Sequence, residues 1–463
     1  MFGSRIRRQR INRVAAQVLL MLTVLGFNLP APPAQAALAY YDAANGRVHL
    51  IGYPERLPAT PALLLKLDRL HGWEIMRHSP EEDRYELDAD LIIGFNNGSK
   101  TFFQAGGSRA PGETLLVRGN VVVYPCHIEG ENRSLQPRET PPGRNRLILG
   151  EEDEARSGAT LLIASGPGDE GRTLHAGHVP RRQDYPGGSG PGGEVHVYHS
   201  RIAAANPGPE GRLGLPGPRS GGSPGLRLGR DPVLVHAVLE NADGYFLASV
   251  GREARIEQVV CIDGQSGLYN FSSPQPVFGS TFRNLDTAVR DGGSLNVMLV
   301  DCIFENNDRH WTMTHTACGL TLRDCTWDEP RDGNIYRAWD NPRTGERQYP
   351  FVLSERHVII KVTDAAGNPV PGAGLRIENE QEVWDAAEPP RLRTGPDGRT
   401  PGRGQPGALR LREFLHRATD TENEPEITNY SYTITVTAEG FAPKIRKGYR
   451  PSTSWDIVVL VLE

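Results

Sequence analysis

The sequence predicts a mostly β protein in which a stacked coil of short strands precedes a small β-sandwich domain. Three observations support this prediction. Glycine (52) and proline (37) make up about a fifth of the 463 residues, too much for long helices to dominate. Short runs rich in β-branched residues recur between turn residues. A degenerate repeat with a period of 22 or 23 residues ends shortly before a change of composition near residue 356.

The overall composition bounds the class of protein. Hydrophobic residues make up 38% of the chain and charged residues 23%, which is enough apolar content for folded domains. A length of 463 residues predicts two or three such domains. The formal net charge of −5 does not suggest a nucleic-acid-binding surface.

Residues 1–36 have the organisation of a secretory signal peptide. Five arginines precede an apolar stretch at residues 14–29, and Ala34-Gln35-Ala36 follows as a cleavage site. The alternative is an uncleaved membrane anchor, but about 16 apolar residues fall short of the roughly 20 that span a bilayer. We therefore expect an exported protein that is extracellular, on the cell surface or periplasmic, with no transmembrane segment after cleavage.

Residues 37–113 are predicted to form an N-terminal cap region that contains one short helix. Thr60 would cap this helix, Pro61 would occupy its first position, and His71-Gly72 would end it. Beyond the helix, the pattern changes to short strands and two long Gly/Pro-rich loops. The predicted strands are residues 85–93, 114–124, 146–149, 160–163 and 194–202, and the loops are residues 166–193 and 206–232.

The repeat lies between about residues 233 and 327 and aligns equivalent side chains in columns. A small-residue column and an aromatic column are visible: Ser280, Cys302 and Cys325, then Phe282, Phe304 and Trp327. A coil with this period would bring each column into register, with neighbouring strands about 4.8 Å apart. We expect the aromatic column to stack in the core. The cysteines of the other column should be buried free thiols, because stacked parallel strands seldom offer disulfide geometry.

The segment Leu295-Asn-Val-Met-Leu-Val-Asp-Cys-Ile-Phe-Glu-Asn-Asn307 resembles one coil of the right-handed parallel β-helix, the pectin-lyase-like fold. The resemblance covers residues 276–327, with a looser extension back to residue 114. It implies that residues 114–329 form a parallel β-helix with loop insertions. Such a fold says little about function by itself.

After a polar linker at residues 330–355, residues 356–463 resemble the carboxypeptidase-regulatory-like or transthyretin-like β-sandwich. The shared features are Asp364-x-x-Gly-x-Pro-Val-x-Gly-Ala373, Thr394-Gly-x-Asp-Gly398 and Ala438-x-Gly-Phe441. Members of that family are usually accessory modules, so the resemblance implies no catalytic centre here. Residues 399–428 are longer and more charged than the connection that such a domain needs.

Asp301 and Asp324 are a candidate metal site. They lie 23 residues apart and would stack in the repeat, where two carboxylates repel each other unless a cation or a shared proton intervenes. Enzymes resembling pectate lyases bind Ca²⁺ with carboxylates of neighbouring coils, since Ca²⁺ prefers several oxygen ligands. The alternative is a pair of solvated turn residues. The chain lacks the catalytic arginine motif of those lyases and the paired aspartate motifs of polygalacturonases, which weakens an enzymatic interpretation.

The turn after the aromatic column carries a second group of candidate residues. Arg309 and His310 are candidate catalytic residues, and Asp308 and Trp311 are candidate ligand-binding residues. An arginine suits a sugar carboxylate, a tryptophan suits a sugar ring face, and a histidine can transfer a proton. The alternative is an ordinary polar turn in which Trp311 folds back onto the core.

Two His-x-x-His motifs invite a zinc interpretation. His196 and His199 lie on a predicted strand, where positions i and i+3 face opposite sides, so both cannot bind one ion without a bend. His175 and His178 lie in a Gly/Pro-rich loop that could bring them together.

Three functional hypotheses follow. The first is an exported, non-catalytic surface or extracellular protein that binds a polysaccharide or another cell-envelope component. The second is a calcium-dependent polysaccharide lyase or hydrolase, which requires both aspartates to share one open groove with Arg309 and His310. The third is a structural spacer of a surface layer, which predicts self-association without a ligand.

Overall fold

The computed structural model has a mostly β architecture, as the sequence predicts. Residues 39–463 form a compact unit. The structure describes residues 38–94, 100–124, 145–163, 174–176, 193–204, 226–228, 231–240, 245–248, 254–271, 273–292, 297–313, 319–328, 334–335, 339–340, 345, 347–385, 392–421, 424–452 and 456–463.

Most described strands belong to three large sheets, named here sheets A, B and C. Sheet A contains, in hydrogen-bonded order, Leu38–Asp42, Arg47–Ile51, Asp90–Ile93, Val121–Val123, Leu174–Ala176 and Leu226–Leu228. Sheet B contains Phe102–Ala105, Arg146–Leu149, Glu194–Tyr198, Val233–Val235, Arg255–Glu257, Val277–Phe278, Val297–Val300, Gly319–Arg323, Phe351–Asp364, Arg410–Arg417 and Glu426–Asn429, with Asp456–Leu462 beside Phe351–Asp364. Sheet C contains Met76–Ser79, Arg84–Leu87, Thr114–Val117, Thr160–Ile163, Arg201–Ala204, Val238–Glu240, Val260–Phe271, Thr281–Gly292, Ile303–Glu305 and Thr326–Trp327, with Tyr245–Ala248, Trp311–Met313 and Asn334–Ile335 joined at its side.

Two smaller sheets complete the described strands. Sheet D contains, in order, Val383–Asp385, Gly374–Glu378, Tyr432–Thr437 and Lys444–Tyr449. A short antiparallel pair is formed by Trp339–Asp340 and Arg347–Gln348.

As far as Val233–Val235 the chain visits sheets C, A and B in turn and then begins the next circuit, and from Val238–Glu240 to Thr326–Trp327 the described strands belong to sheets C and B alone. Each sheet C strand from Arg84–Leu87 onward pairs in parallel with the strand one circuit later. One column of directly paired residues therefore continues through the whole of sheet C, and it contains Tyr85, Leu115, Leu161, Ile202, Leu239, Cys261, Phe282, Phe304 and Trp327. This order of strands is compatible with a parallel β-helix.

Corners of the circuits use left-handed backbone conformations. After the sheet B strands, the corner residues have φ between 50° and 55°, and they are His199, His236, Gln258, Gly279, Asp301 and Asp324. A second corner, inside sheet C, has φ of 57°, 55° and 49° at Asp263, Asn284 and Asn306. Asn and Asp tolerate this conformation better than most residues. The Asn284 Nδ2 donates to Asp263 Oδ1 at 2.9 Å, and the Asn306 Nδ2 donates to Asn284 Oδ1 at 2.8 Å, which links successive corners.

Both repeat columns predicted from the sequence are confirmed. Phe282 and Phe304 are fully buried, with ring centroids 5.5 Å apart. Cys302 and Cys325 are buried free thiols, and so is Cys261. Burial raises the pKa of the Cys302 thiol well above its usual value, so this group stays protonated. The remaining two cysteines lie outside the described residues.

The predicted helix is present at Pro61–His71. Thr60 caps it, because its hydroxyl oxygen accepts a hydrogen bond from the Leu63 amide at 3.2 Å. Gly72 ends it with φ of 64°, a conformation that costs glycine little. Leu64 is buried in the main core and anchors the helix there.

The strand Phe351–Asp364 connects the circuits to the C-terminal part of the chain. That part contains sheet D and the pairing of residues 358–364 with Asp456–Leu462, named together here the C-terminal sheets. Its residues 351–355 pair in parallel with Gly319–Arg323, the preceding strand of sheet B. Its residues 358–364 pair in parallel with Asp456–Leu462. The strand therefore continues across residue 356, and its second half contributes to a separate C-terminal core with sheet D.

The segment 399–428, which is longer than a simple connection requires, forms part of this junction. It contains Arg410–Arg417, which pairs antiparallel with residues 351–357 and with Glu426–Asn429. Phe414 belongs to the main core rather than to the C-terminal core. The additional length thus supplies a strand that packs against the end of the circuits.

Candidate functional site

The two stacked aspartates lie where the circuits meet the C-terminal sheets. Asp324 is 3% exposed, and its Oδ1 accepts a hydrogen bond from the His357 amide at 2.7 Å. Its Oδ2 contacts the Nδ1 of the same histidine. Asp301 is half-buried and forms an ion pair with Arg403. Each carboxylate is therefore matched by a basic side chain from the C-terminal part of the chain.

The environment of Asp324 favours its ionised form. Burial raises the pKa of this carboxyl group, but hydrogen bonds from His357, together with the charges of His357 and Arg403, outweigh burial. The net result is a pKa below the usual value of an aspartate. No cluster of three or more potential metal ligands occurs among the described residues.

The last ring of the aromatic column is covered by groups that the sequence did not single out. The Arg356 guanidinium carbon lies 4.6 Å from the centroid of the Trp327 ring, and the Phe414 ring centroid lies 5.8 Å from it. Arg356 is buried, and its Nε donates to Glu413 Oε2 at 2.7 Å. This arrangement combines a cation–π contact with a partly buried ion pair at the end of the core.

The candidate residues at positions 308–311 divide between core and surface. His310 is fully buried, with its Nε2 3.2 Å from Asp328 Oδ1 and its ring edge-on to Phe304 at 5.7 Å. Trp311 is 4% exposed and lies 6.3 Å from Trp327, so it folds back onto the core. Asp308 and Arg309 are exposed on the turn. The structure therefore separates His310 and Trp311 from the two residues that solvent reaches.

The four residues required by the lyase hypothesis do not share one open groove. Asp301 is at the corner before the strand Ile303–Glu305, whereas Arg309 and His310 follow the corner after it. Asp324 and His310 are both buried. A buried imidazole that packs against aromatic rings cannot reach a polymer on the surface without local opening.

The histidines of the zinc motif at 196–199 have separate environments. The His196 Nε2 lies 3.3 Å from Glu194 Oε2 on the outer face of sheet B. His199 occupies a left-handed corner and stacks on the ring of His236 at 4.6 Å. His178 and the side chain of His175 lie outside the described residues.

A row of exposed and half-exposed side chains follows the outer face of sheet C. Its members, named here the sheet C row, are paired directly from strand to strand, and they are Val238, Val260, Thr281, Ile303 and Thr326. Ion pairs between neighbouring strands border the row, Arg201 with Glu240 and Arg283 with Glu305. The row offers aliphatic and hydroxyl groups at a constant strand spacing of about 4.8 Å.

Within the described residues, no helix has both the length and the apolar character needed to cross a bilayer. A scan against protein-family models and a search of curated proteins both found no match for this chain.

Proposed function

We propose that the protein is an exported, non-catalytic surface or extracellular protein that binds carbohydrate or another envelope component. In this proposal residues 1–36 are a cleaved signal peptide. Residues 114–329, together with the earlier strands from Arg84–Leu87 onward that pair with them in parallel, form a right-handed parallel β-helix of the pectin-lyase-like type, and the helix Pro61–His71 caps its N-terminal end. Residues 356–463 form a transthyretin-like sandwich that covers the other end.

The sheet C row is the observation that carries this proposal. An extended polymer presents similar groups at regular intervals, and a row of in-register side chains does the same. The Thr281 hydroxyl can exchange hydrogen bonds with sugar hydroxyls, while Val260 and Ile303 can pack against the apolar faces of sugar rings. The flanking ion pairs hold Arg201 and Arg283 in fixed positions beside the row.

Comparison of two arginine substitutions tests the proposal. Thr281→Arg places a long charged side chain in the middle of the row. Thr321→Arg is the matched control, because Thr321 is a half-exposed threonine on the outer face of sheet B, paired with Met298 and Leu353. Binding would be measured first on a glycan array and then by calorimetry with the best polysaccharide.

We expect at least a tenfold loss of affinity for Thr281→Arg and an unchanged affinity for Thr321→Arg. Circular dichroism would show that both variants remain folded. The absence of binding to any polysaccharide or envelope fraction by the unaltered protein would refute the proposal. Self-association of the unaltered protein without any ligand would instead favour a structural spacer.

A further inference from the structure

The strand Lys444–Tyr449 is exposed to an unusual degree. It forms the edge of sheet D, and each of its residues except Tyr449 is exposed, including Ile445 at 55%. Both faces of the strand are therefore open to solvent. Its end is held in place, because the Tyr449 hydroxyl donates to Asp456 Oδ2 of the last strand at 2.9 Å.

Four basic side chains are concentrated on this strand and the residue after it. Lys444, Arg446, Lys447 and Arg450 are all exposed. In the described part of the chain, none of the four forms an ion pair with a carboxylate. The adjacent strand Tyr432–Thr437 has the sequence Tyr-Thr-Ile-Thr-Val-Thr and supplies no acidic group. Among the described residues no carboxylate is ion-paired with these cations, and the Arg446 guanidinium carbon lies 5.3 Å from the centroid of the Tyr449 ring.

On other strands of the protein, arginines form ion pairs with nearby glutamates. Arg283 pairs with Glu305 on the next strand, and Arg376 pairs with Glu378 on the same strand of sheet D. The chain as a whole carries a net charge of −5. A local excess of positive charge in such a chain points to a negatively charged partner.

A simpler explanation is protection of an open sheet edge. Lysines on an edge strand discourage pairing with other chains. Here four cations extend over about 20 Å at the usual rise of a strand, and one of them, Arg450, lies beyond the paired residues of the edge. Protection alone does not account for cations on both faces and beyond the end of the strand.

We propose that this basic edge, defined by Lys444, Arg446, Lys447 and Arg450, binds a linear anionic polysaccharide bearing carboxylate groups. The inference rests on the proposed function and specifies the charge of the polymer. Each cation would contact a carboxylate, and the exposed Ile445 would lie against the chain between them. Exposed ion pairs are weak singly, so affinity would come from several contacts and fall with ionic strength.

The test compares carboxymethyl dextran with uncharged dextran of the same length, using the full chain and biolayer interferometry. The variant is Lys444→Gln/Arg446→Gln/Lys447→Gln. The matched control is Lys66→Gln/Arg69→Gln/Arg109→Gln, which removes the same number of charges from exposed positions elsewhere. A third surface carries vesicles of phosphatidylglycerol and phosphatidylcholine.

We expect the unaltered protein to prefer carboxymethyl dextran, and the basic-edge variant to bind it about tenfold more weakly while the control does not. Equal binding of both dextrans would overturn the inference, yet the proposed function would stand if Thr281→Arg abolished that binding. A third outcome is that the unaltered protein binds the vesicles but not carboxymethyl dextran, and that the basic-edge variant loses the vesicle binding. This outcome would also overturn the inference and would indicate a lipid partner.

Discussion

The buried pair of Asp324 and His357 should contribute strongly to the stability of the junction between the circuits and the C-terminal sheets. Asp324→Asn removes the charge but retains one oxygen that can accept from the His357 amide. The expected loss is about 1.5–3 kcal/mol in the free energy of unfolding, the usual value of a hydrogen bond to a charged group. Asp301→Asn is the control, because its ion pair with Arg403 is half-exposed and should contribute about 0.2–1 kcal/mol.

The same variant predicts a dependence on pH. The pKa of Asp324 is lowered in the folded state, so its contribution is complete above the unfolded-state pKa of about 3.9. That contribution is lost as the pH falls through the folded-state pKa. Urea unfolding at pH 7 and at several acidic values would measure the difference between the unaltered protein and Asp324→Asn. A difference that grows on acidification, or equal losses for Asp301→Asn and Asp324→Asn at pH 7, would refute this reasoning.

Two further pairs of variants probe the interior and the corners. Phe304→Ala should lower the free energy of unfolding by about 3–5 kcal/mol, because it opens a cavity in the aromatic column, whereas Ile303→Ala on the outer face should have a much smaller effect in the same urea experiment. Asn284→Ala should lower the midpoint of thermal unfolding more than Asn284→Gly. Both variants lose the side-chain hydrogen bonds to Asp263 and Asn306, but only alanine is strained at φ of 55°. Equal shifts for the alanine and glycine variants would contradict the second expectation.

The repeat could be recognised from the sequence only where the circuits are short. Along the sheet C column the circuits from Leu239 to Trp327 contain 22, 21, 22 and 23 residues, so equivalent side chains recur at a nearly constant interval. From Tyr85 to Leu239 they contain 30, 46, 41 and 37 residues. Variable connections hide the period there, although the strands pair in the same way.

The partners of the candidate residues could not be predicted from the sequence. Nothing in the spacing links Asp324 to His357 or Asp301 to Arg403, because these contacts join segments that share no period. The sequence feature that pointed to an additional contact was the unusual length and charge of residues 399–428, which contain Arg403, the partner of Asp301. The interior position of Trp311 was an open alternative, since an aromatic residue after a turn can face either way.

The left-handed backbone conformation of the corners could be predicted from the sequence only in part. Asn284 and Asn306 follow the aromatic column in the sequence and are residue types that favour the conformation. His199, His236 and Gln258 adopt it as well, and of these two residue types only histidine is enriched in this conformation. Their backbone is held by the hydrogen bonds of the circuit, such as His236 N to Glu257 O at 2.9 Å.

The shared strand Phe351–Asp364 has a consequence for any attempt to divide the protein into exchangeable modules. Removal of residues 356–463 would uncover the Trp327 ring, and it would take away Arg410–Arg417, the antiparallel partner of residues 351–355. An uncovered strand of this kind is a template for unwanted pairing between molecules. A truncated chain of circuits should therefore aggregate, and recombination that replaces the C-terminal sheets must supply both a matching strand and a cover for the aromatic column.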